Sequence, residues 1–152
     1  MSQDQANAVR LDHIASELER ACVSTTELLV KVINHTCTRV PILAKTSKTV
    51  QLWQLIEAGA QVDATLALVE LELPQWRLRC LSFDNDLWFC ALSRQLYSPV
   101  EFDDTADGHH ADPVLAMLIA YVEAVRMARV TCESTISTIC SGAHLVCCDN
   151  FY

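Results

Sequence analysis

The sequence is poor in glycine, in basic residues and in long uninterrupted apolar runs. Its 152 residues include only 3 glycines, which stand far apart, so it has no glycine-rich loop of the kind that cradles phosphate. It carries 11 Lys and Arg against 19 Asp and Glu, whereas nucleic-acid binding usually requires a basic face. No stretch of about 18 apolar residues is free of charge, as a spanning helix would require. We therefore expect neither a nucleic-acid partner nor a membrane partner.

The N-terminal region also lacks the apolar run of a secretion signal, because acidic side chains recur between Asp4 and Glu19. We therefore expect a cytoplasmic protein whose 8 cysteines are thiols rather than a disulfide framework. Apolar residues make up 51% of the chain and charged residues 20%, which argues against disorder. The length suits one globular domain, over about 1–130, followed by a Cys/Ser/Thr-rich tail of uncertain structure over 131–152.

Apolar residues at helical spacing predict three helices in the first part of the chain. The first carries an apolar stripe from Leu11 to Cys22. A capping box at residues 24–27 begins the second, which Pro41 closes. The third runs from about Lys48 to Ala58, where the following glycine supplies a left-handed C-terminal cap.

The segment from Ala64 to Leu73 has two interpretations. Asp63 is a suitable N-cap and the first half contains good helix formers, whereas residues 69–73 alternate as in a strand. Alanine is a poor strand residue, so we favour a helix that ends before Pro74.

The last predicted helix opens with Asp112 as N-cap and Pro113 in its first position, and it runs at least to Arg129. Its apolar residues between 113 and 125 cover more than one face, so it needs burial on several sides. Two-fold dimers are the commonest homo-oligomers. We therefore predict a homodimer through the 113–125 helix.

The strongest strand pattern is a β-hairpin at about residues 76–83 and 87–94, joined by a three-residue turn at 84–86. The register that keeps the apolar side chains on one face places Cys80 directly opposite Cys90. The predicted fold class is therefore α+β, mostly helical, with one antiparallel hairpin packed on helices.

The middle of the chain carries a set of residues that recur in other proteins: residues 57–60, Asp63, 66–76, 78–79, Trp88, Cys90, 92–95, 115–116, Ala120 and 123–124. On these residues, the segment from about 55 to 126 resembles a family of small uncharacterised bacterial proteins. The Glu-Leu-Pro-Gln-Trp stretch at 72–76 is its most distinctive part. The family has no assigned activity, so the resemblance implies no catalytic residue and no cofactor.

Four potential metal ligands lie in the tail: Cys140, His144, Cys147 and Cys148. Their spacing would put them on one side of a helix, and thiolate and imidazole suit zinc. One helix offers two ligands at most, so a symmetric dimer would have to complete the shell. The alternative is a group of small buried thiols or a frayed terminus, and we assign no metal.

An acidic loop is predicted from Ser98 to Gly108, and His109 and His110 follow it before the helix cap at Asp112. Carboxylates and imidazoles bind divalent ions, but the spacing does not match a calcium loop. A solvated loop is the simpler interpretation, and the histidines could make it sensitive to pH.

Two pairs in the hairpin have a functional and a structural interpretation. Cys80 and Cys90 could form a redox pair, although cross-strand thiols are more often small core residues. Trp76 and Trp88 could form a ligand platform or a partner contact, and core packing is the alternative. The sequence has no Gly-x-Ser-x-Gly elbow, and we assign no catalytic or cofactor-binding residue.

Three hypotheses for function follow. The first is a small non-enzymatic protein that acts through protein–protein contacts. The second is a metal- or thiol-based sensor that uses the C-terminal Cys/His cluster. The third is a small-ligand binding protein or an enzyme with a pocket under the hairpin, which a deep pocket with converging polar groups would favour.

Overall fold

The computed structural model describes residues 3–37, 46–94 and 104–141, with side chains as far as Val130 in the last range. These residues form five helices and one three-stranded antiparallel sheet of order β1-β2-β3, which confirms the α+β prediction. None of the described helices is long and apolar enough to cross a membrane. The elements are α1 (Gln3–Arg20), α2 (Thr26–Thr36), α3 (Ser47–Glu57), α4 (Gln61–Glu72), β1 (Arg77–Asp84), β2 (Leu87–Ser93), β3 (Thr105–His110) and α5 (Pro113–Ser141).

The first two helices follow the predicted apolar spacing, but the cap between them moves by one residue. The predicted stripe of α1 is buried at Leu11, Ile14 and Leu18, whereas Cys22 is exposed beyond the helix. The N-cap of α2 is Thr25, whose side chain accepts from the backbone N–H of Leu28 at 3.2 Å. The predicted N-cap Ser24 donates its own N–H to the carboxylate of Asp112 instead. Pro41, predicted to close this region, lies outside the described residues.

The predicted helix before Pro74 is confirmed as α4, although it begins earlier than expected. Gly59 adopts a φ of 78° and ends α3 in the left-handed conformation, as predicted. Ala60 is the N-cap of α4, so Asp63 lies in the first turn rather than at the cap. The alternation of residues 69–73 does not produce a strand. These residues belong to α4, which is buried on several sides.

The hairpin forms, but with a two-residue turn rather than the predicted three-residue one. Asn85 and Asp86 have φ values of 52° and 62°, so Asp84 pairs with Leu87. Two consecutive left-handed residues make the type I′ turn, whose twist matches that of the strands. Asn and Asp tolerate this conformation better than most residues.

The register therefore differs from the predicted one near the turn. Cys80 pairs with Ala91 and Cys90 pairs with Leu81, so the prediction that Cys80 lies directly opposite Cys90 is wrong. A β-bulge between Leu78 and Cys80 restores the predicted pairing at the far end of the hairpin. With the bulge, Leu78, Leu81 and Phe83 lie opposite Leu92, Cys90 and Trp88, so the apolar residues of the two strands share one face.

The second part of the predicted acidic loop is a strand, β3, which pairs with β2. Gly108 lies opposite Cys90 and Ala106 lies opposite Leu92, on the face that packs against α5. A Cβ atom at Gly108 would lie 2.4 Å from the carbonyl oxygen of Ala116, so only glycine allows this approach. Residues 98–103 of the predicted loop lie outside the described residues.

Helix α5 occupies the centre of the fold, with the sheet on one side and α1 and α4 on another. Its apolar residues from Val114 to Val125 are almost all buried within the single chain. The surplus apolar face that motivated the dimer is therefore covered in this segment, and the dimer itself stays a prediction. The backbone remains helical to Ser141, beyond the predicted minimum at Arg129, and the helix thus includes the first part of the predicted tail.

Candidate functional site

The helical side of the molecule contains a cleft of about 850 Å³. The first half of α1 and the middle of α5, over Val125–Val130, form its sides, and the ends of α2 and α4 form its inner end. This volume is in the range of small-molecule sites. Its lining consists of Asp4, Gln5, Asn7, Ala8, Leu11, Asp12, Thr36, Glu72, Leu73, Val125, Arg126, Ala128, Arg129 and Val130.

The apolar wall of the cleft is continuous with the hydrophobic core. Leu11, Leu73 and Val125 line the cleft and belong to the core cluster. Because the core fixes these three side chains, the wall is formed before any ligand arrives. The third hypothesis therefore has a suitable pocket, but it lies between helices, and no described residue of the sheet lines it.

Thr36, which lines the cleft, belongs to a chain of hydrogen-bonded groups that continues behind the lining to Tyr121 and Cys37. The hydroxyl of Thr36 donates to the carbonyl oxygen of Val32 at 2.7 Å and lies 3.0 Å from the hydroxyl of Tyr121. Because the hydrogen of Thr36 is used, Tyr121 must be the donor of the second bond. The Tyr121 oxygen then accepts from the Cys37 thiol, whose sulfur lies 3.5 Å away. Each of these three side chains therefore has a hydrogen-bond partner, and the donors run from Cys37 through Tyr121 and Thr36 to the Val32 carbonyl.

Both acidic groups of this chain stay protonated. Burial raises the pKa of the Cys37 thiol to about 12. Burial also raises the pKa of Tyr121 well above its usual value. A protonated thiol is a poor nucleophile, so these groups suit hydrogen bonding rather than covalent chemistry.

Glu72, the last residue of α4, places a carboxylate at the same inner end. The residue is only 9% exposed, and after burial its carboxylate is a further cause of the raised pKa of the Cys37 thiol. Arg129 donates to the backbone carbonyl of Thr36 at 3.3 Å. Arg126, nearer the mouth, forms ion pairs with Asp12 and Glu123. Each arginine of the cleft therefore already donates to an acceptor of the chain.

A second polar cluster joins the loop after α1 to the start of α5. Asp112 caps α5 as predicted: its carboxylate accepts from the Val114 N–H at 2.8 Å and also from the Ser24 N–H at 2.9 Å. The Asp112 N–H donates to Nδ1 of His110 at 2.9 Å, so Nε2 carries the hydrogen and donates to the Ala21 carbonyl at 2.8 Å. Both ring nitrogens of His110 therefore have hydrogen-bond partners. We refer to Ser24, His110 and Asp112 as the clip, because their hydrogen bonds join the loop after α1 to the start of α5 rather than form a catalytic triad.

The loop residues considered as possible metal ligands are not brought together among the described side chains. His109 and His110 are neighbours in β3, so their rings point to opposite faces of the sheet. His109 contacts Phe89 with ring centroids 4.7 Å apart. No group of three potential ligands forms within the described part of the chain.

The tail cluster is not tested by the structure. Cys140 lies in the last turn of α5, on a part of the helix without described side chains. His144, Cys147 and Cys148 lie outside the described residues. Zinc binding by these residues therefore stays an open alternative to small buried thiols or a frayed terminus.

The Cys80/Cys90 pair and the Trp76/Trp88 pair mainly pack the hairpin against the rest of the molecule. Cys80 and Cys90 are free thiols, and burial raises the pKa of Cys90 to about 12. Trp76 is buried in the core, whereas Trp88 is partly buried and contacts Phe83 with ring centroids 5.2 Å apart.

The cleft residues were not singled out by sequence reasoning. The sequence gives little signal for them, because Glu72 and Tyr121 are each one of several polar side chains in their helices. Comparison with known proteins adds no further constraint. No family model, no curated protein and no solved structure matches the chain.

Proposed function

We propose that this protein is a non-enzymatic binding protein that holds a small, largely apolar molecule in the cleft between α1, α4 and α5. The observation that carries the proposal is the continuity of the cleft wall with the core, combined with a polar inner end. Small-molecule sites typically combine mostly apolar walls with a few converging polar groups. Behind the lining residue Thr36, burial raises the pKa of Cys37 and of Tyr121, which disfavours both as nucleophiles.

The test is binding of a neutral fluorescent probe, N-phenyl-1-naphthylamine, to the wild type and to two tryptophan variants. Ala8 lines the cleft and is exposed, so Ala8→Trp fills the cleft without disturbing the core. Val9 lies next to it on α1, is 60% exposed and is not part of the lining, so Val9→Trp is the matched control.

We expect saturable binding at one site in the wild type and in Val9→Trp. Ala8→Trp should weaken it at least about tenfold, which corresponds to about 1.4 kcal/mol. Absence of binding in the wild type, or equal binding in the two variants, would contradict the proposal.

The tip of the hairpin supports a second candidate function, contact with another protein. Phe83 is 56% exposed and its ring contacts the partly buried ring of Trp88, whereas Leu87, which is 45% exposed, points to the opposite face of the hairpin. Contiguous exposed apolar groups such as Phe83 and Trp88 mark interaction sites. Sedimentation of the wild type and of a Phe83→Ser, Leu87→Ser double variant tests self-association through the tip. A monomeric wild type would contradict self-association.

A further inference from the structure

Arg129 brings hydrogen-bond donors to the cleft. The residue lines the cleft and is partly buried. Within the described part of the chain, its one hydrogen bond runs from Nη2 to the carbonyl oxygen of Thr36, at 3.3 Å. A guanidinium group carries five N–H donors and no acceptor. Most of the donors of Arg129 are therefore left for a molecule that enters the cleft.

Arg126, one turn earlier on α5, differs because its donors serve two carboxylates. It pairs with Asp12 across the mouth of the cleft and with Glu123 on its own helix. Arg129 instead donates to the last turn of α2, and the C-terminus of a helix carries a partial negative charge. This contact holds the guanidinium group in place and offsets part of its charge. Arg129 is thus suited to donate to a neutral acceptor without requiring an anion.

The charges around the cleft disfavour a ligand with an ionic head group. The lining contains three acidic residues, Asp4, Asp12 and Glu72, against two arginines. An anion would add to this negative excess and to the net charge of −8 of the chain. A cation would lie beside Arg129, and Glu72 already interacts with other groups of the chain. Either ion would also lose hydration in a mostly apolar cleft.

We infer that the ligand is a neutral carbonyl compound with an apolar chain, such as a ketone or an ester, a proposal that rests on the proposed function. Its carbonyl oxygen accepts from Arg129, and its hydrocarbon part lies along Leu11, Leu73 and Val125. Val125 lies four residues before Arg129, so the two side chains are neighbours on one side of α5. A carbonyl oxygen has two lone pairs and can accept two N–H bonds of one guanidinium group.

The test compares 2-octanone, octanoate and octylammonium by displacement of N-phenyl-1-naphthylamine from the wild-type protein at pH 7. We expect 2-octanone to bind at least about tenfold more tightly than either ion, because the ions lose hydration without gaining a partner. The infrared carbonyl band of bound 2-octanone should lie at a lower frequency than in hexane, because accepting a hydrogen bond weakens the C=O bond. An ion that binds as tightly as 2-octanone, or a carbonyl band at its hexane position, would overturn the inference and leave the proposed function intact.

A pair of variants assigns the carbonyl contact to one residue. Arg129→Met should weaken the binding of 2-octanone about tenfold, the effect of one lost charge-assisted hydrogen bond, and return the carbonyl band to its hexane position. The affinity for the probe, which has no acceptor oxygen, should stay unchanged. Arg10→Met is the control, because Arg10 is exposed on α1 outside the lining and its loss changes the net charge equally.

Each remaining outcome decides one of the two proposals. Unchanged 2-octanone binding in a folded Arg129→Met variant would overturn the role of Arg129 and with it the inference. If that variant does not fold, the carbonyl band and the three ligands in the wild type still decide. Failure of the probe and of all three ligands to bind would overturn the proposed function and the carbonyl inference together.

Discussion

Single residues determine how closely the sheet approaches α5. At Gly108 an added Cβ atom would lie 2.4 Å from the Ala116 carbonyl oxygen and 2.8 Å from the Ala120 nitrogen, both of them backbone atoms. Backbone atoms of a packed helix cannot move aside as the end of a side chain can. The whole sheet would therefore have to shift to admit even one methyl group.

Gly108→Ala should lower the free energy of unfolding by about 3 kcal/mol, the upper part of the range for overpacking. Urea unfolding measures this change. Gly59→Ala is the control: its added Cβ meets nothing within 4 Å and only the φ of 78° is strained. That strain costs about 1 kcal/mol. A loss in Gly108→Ala no larger than that in Gly59→Ala would contradict the close packing.

The thiols should differ in reactivity for a similar local reason. Cys22 is exposed, whereas burial raises the pKa values of Cys37 and Cys90 to about 12. Since the thiolate is the reactive form, iodoacetamide at pH 8 should label Cys22 faster than Cys37 and Cys90. Peptide mass spectrometry should show that Cys37 and Cys90 react fully only after unfolding. Labelling of Cys37 as fast as Cys22 would contradict the buried network with Tyr121.

At the scale of elements, the sequence predicts the features that residues close together in the chain determine. The helices follow from apolar spacing, and Gly59 and Asp112 mark ends whose caps are formed by adjacent residues. Strand β3 could not be predicted from an apolar alternation, because its inward residues are Ala106 and Gly108. These residues are small because α5 packs closely against the strand. Its pairing with β2 is a tertiary feature that no alternation in the strand reveals.

The candidate site was hidden for a related reason. Thr36, Glu72 and Tyr121 come from three helices that are far apart in the sequence, so no spacing pattern links them. The predicted register of the hairpin was wrong near the turn because the turn has two residues rather than three. Both turn residues accept the left-handed conformation, and a bulge then compensates for the shorter turn.

The clip at the start of α5 makes stability depend on pH. Partial burial alone would raise the pKa of Asp112, but the N–H groups of Ser24, Leu115 and Val114 together outweigh it and lower the pKa. A lowered carboxyl pKa contributes stability above the pKa of the unfolded state, about 3.9. That contribution is lost as the pH falls through the lower pKa of the folded state.

Asp112→Ala should therefore cost about 1–2 kcal/mol at pH 7, the usual effect of losing an N-cap. The difference from the wild type should shrink as the pH is lowered toward 3, because the wild type then loses the same bonds. Thermal or urea unfolding at several pH values measures it. Asp107→Ala, at an exposed position on β3, is the control and should have little effect. A cost that does not change with pH would contradict the assignment.

At the scale of the whole molecule, α5 divides the fold into two sides with different roles. The sheet covers one side and presents the exposed hairpin tip, whereas α1 and α4 form the cleft on the other. The apolar face of α5 is covered within one chain from Val114 to Val125, so self-association would have to use another surface, such as the hairpin tip. We propose that a small molecule binds in the cleft rather than at the hairpin tip.

The most direct test is an amide nuclear magnetic resonance titration of the full chain with N-phenyl-1-naphthylamine. We predict shift changes that saturate together at cleft residues such as Ala8, Leu11, Leu73 and Val125. Amides near Phe83 and Leu87 should stay unchanged and serve as the internal control. Shift changes confined to the hairpin tip, or none in the cleft at saturating probe, would contradict the account.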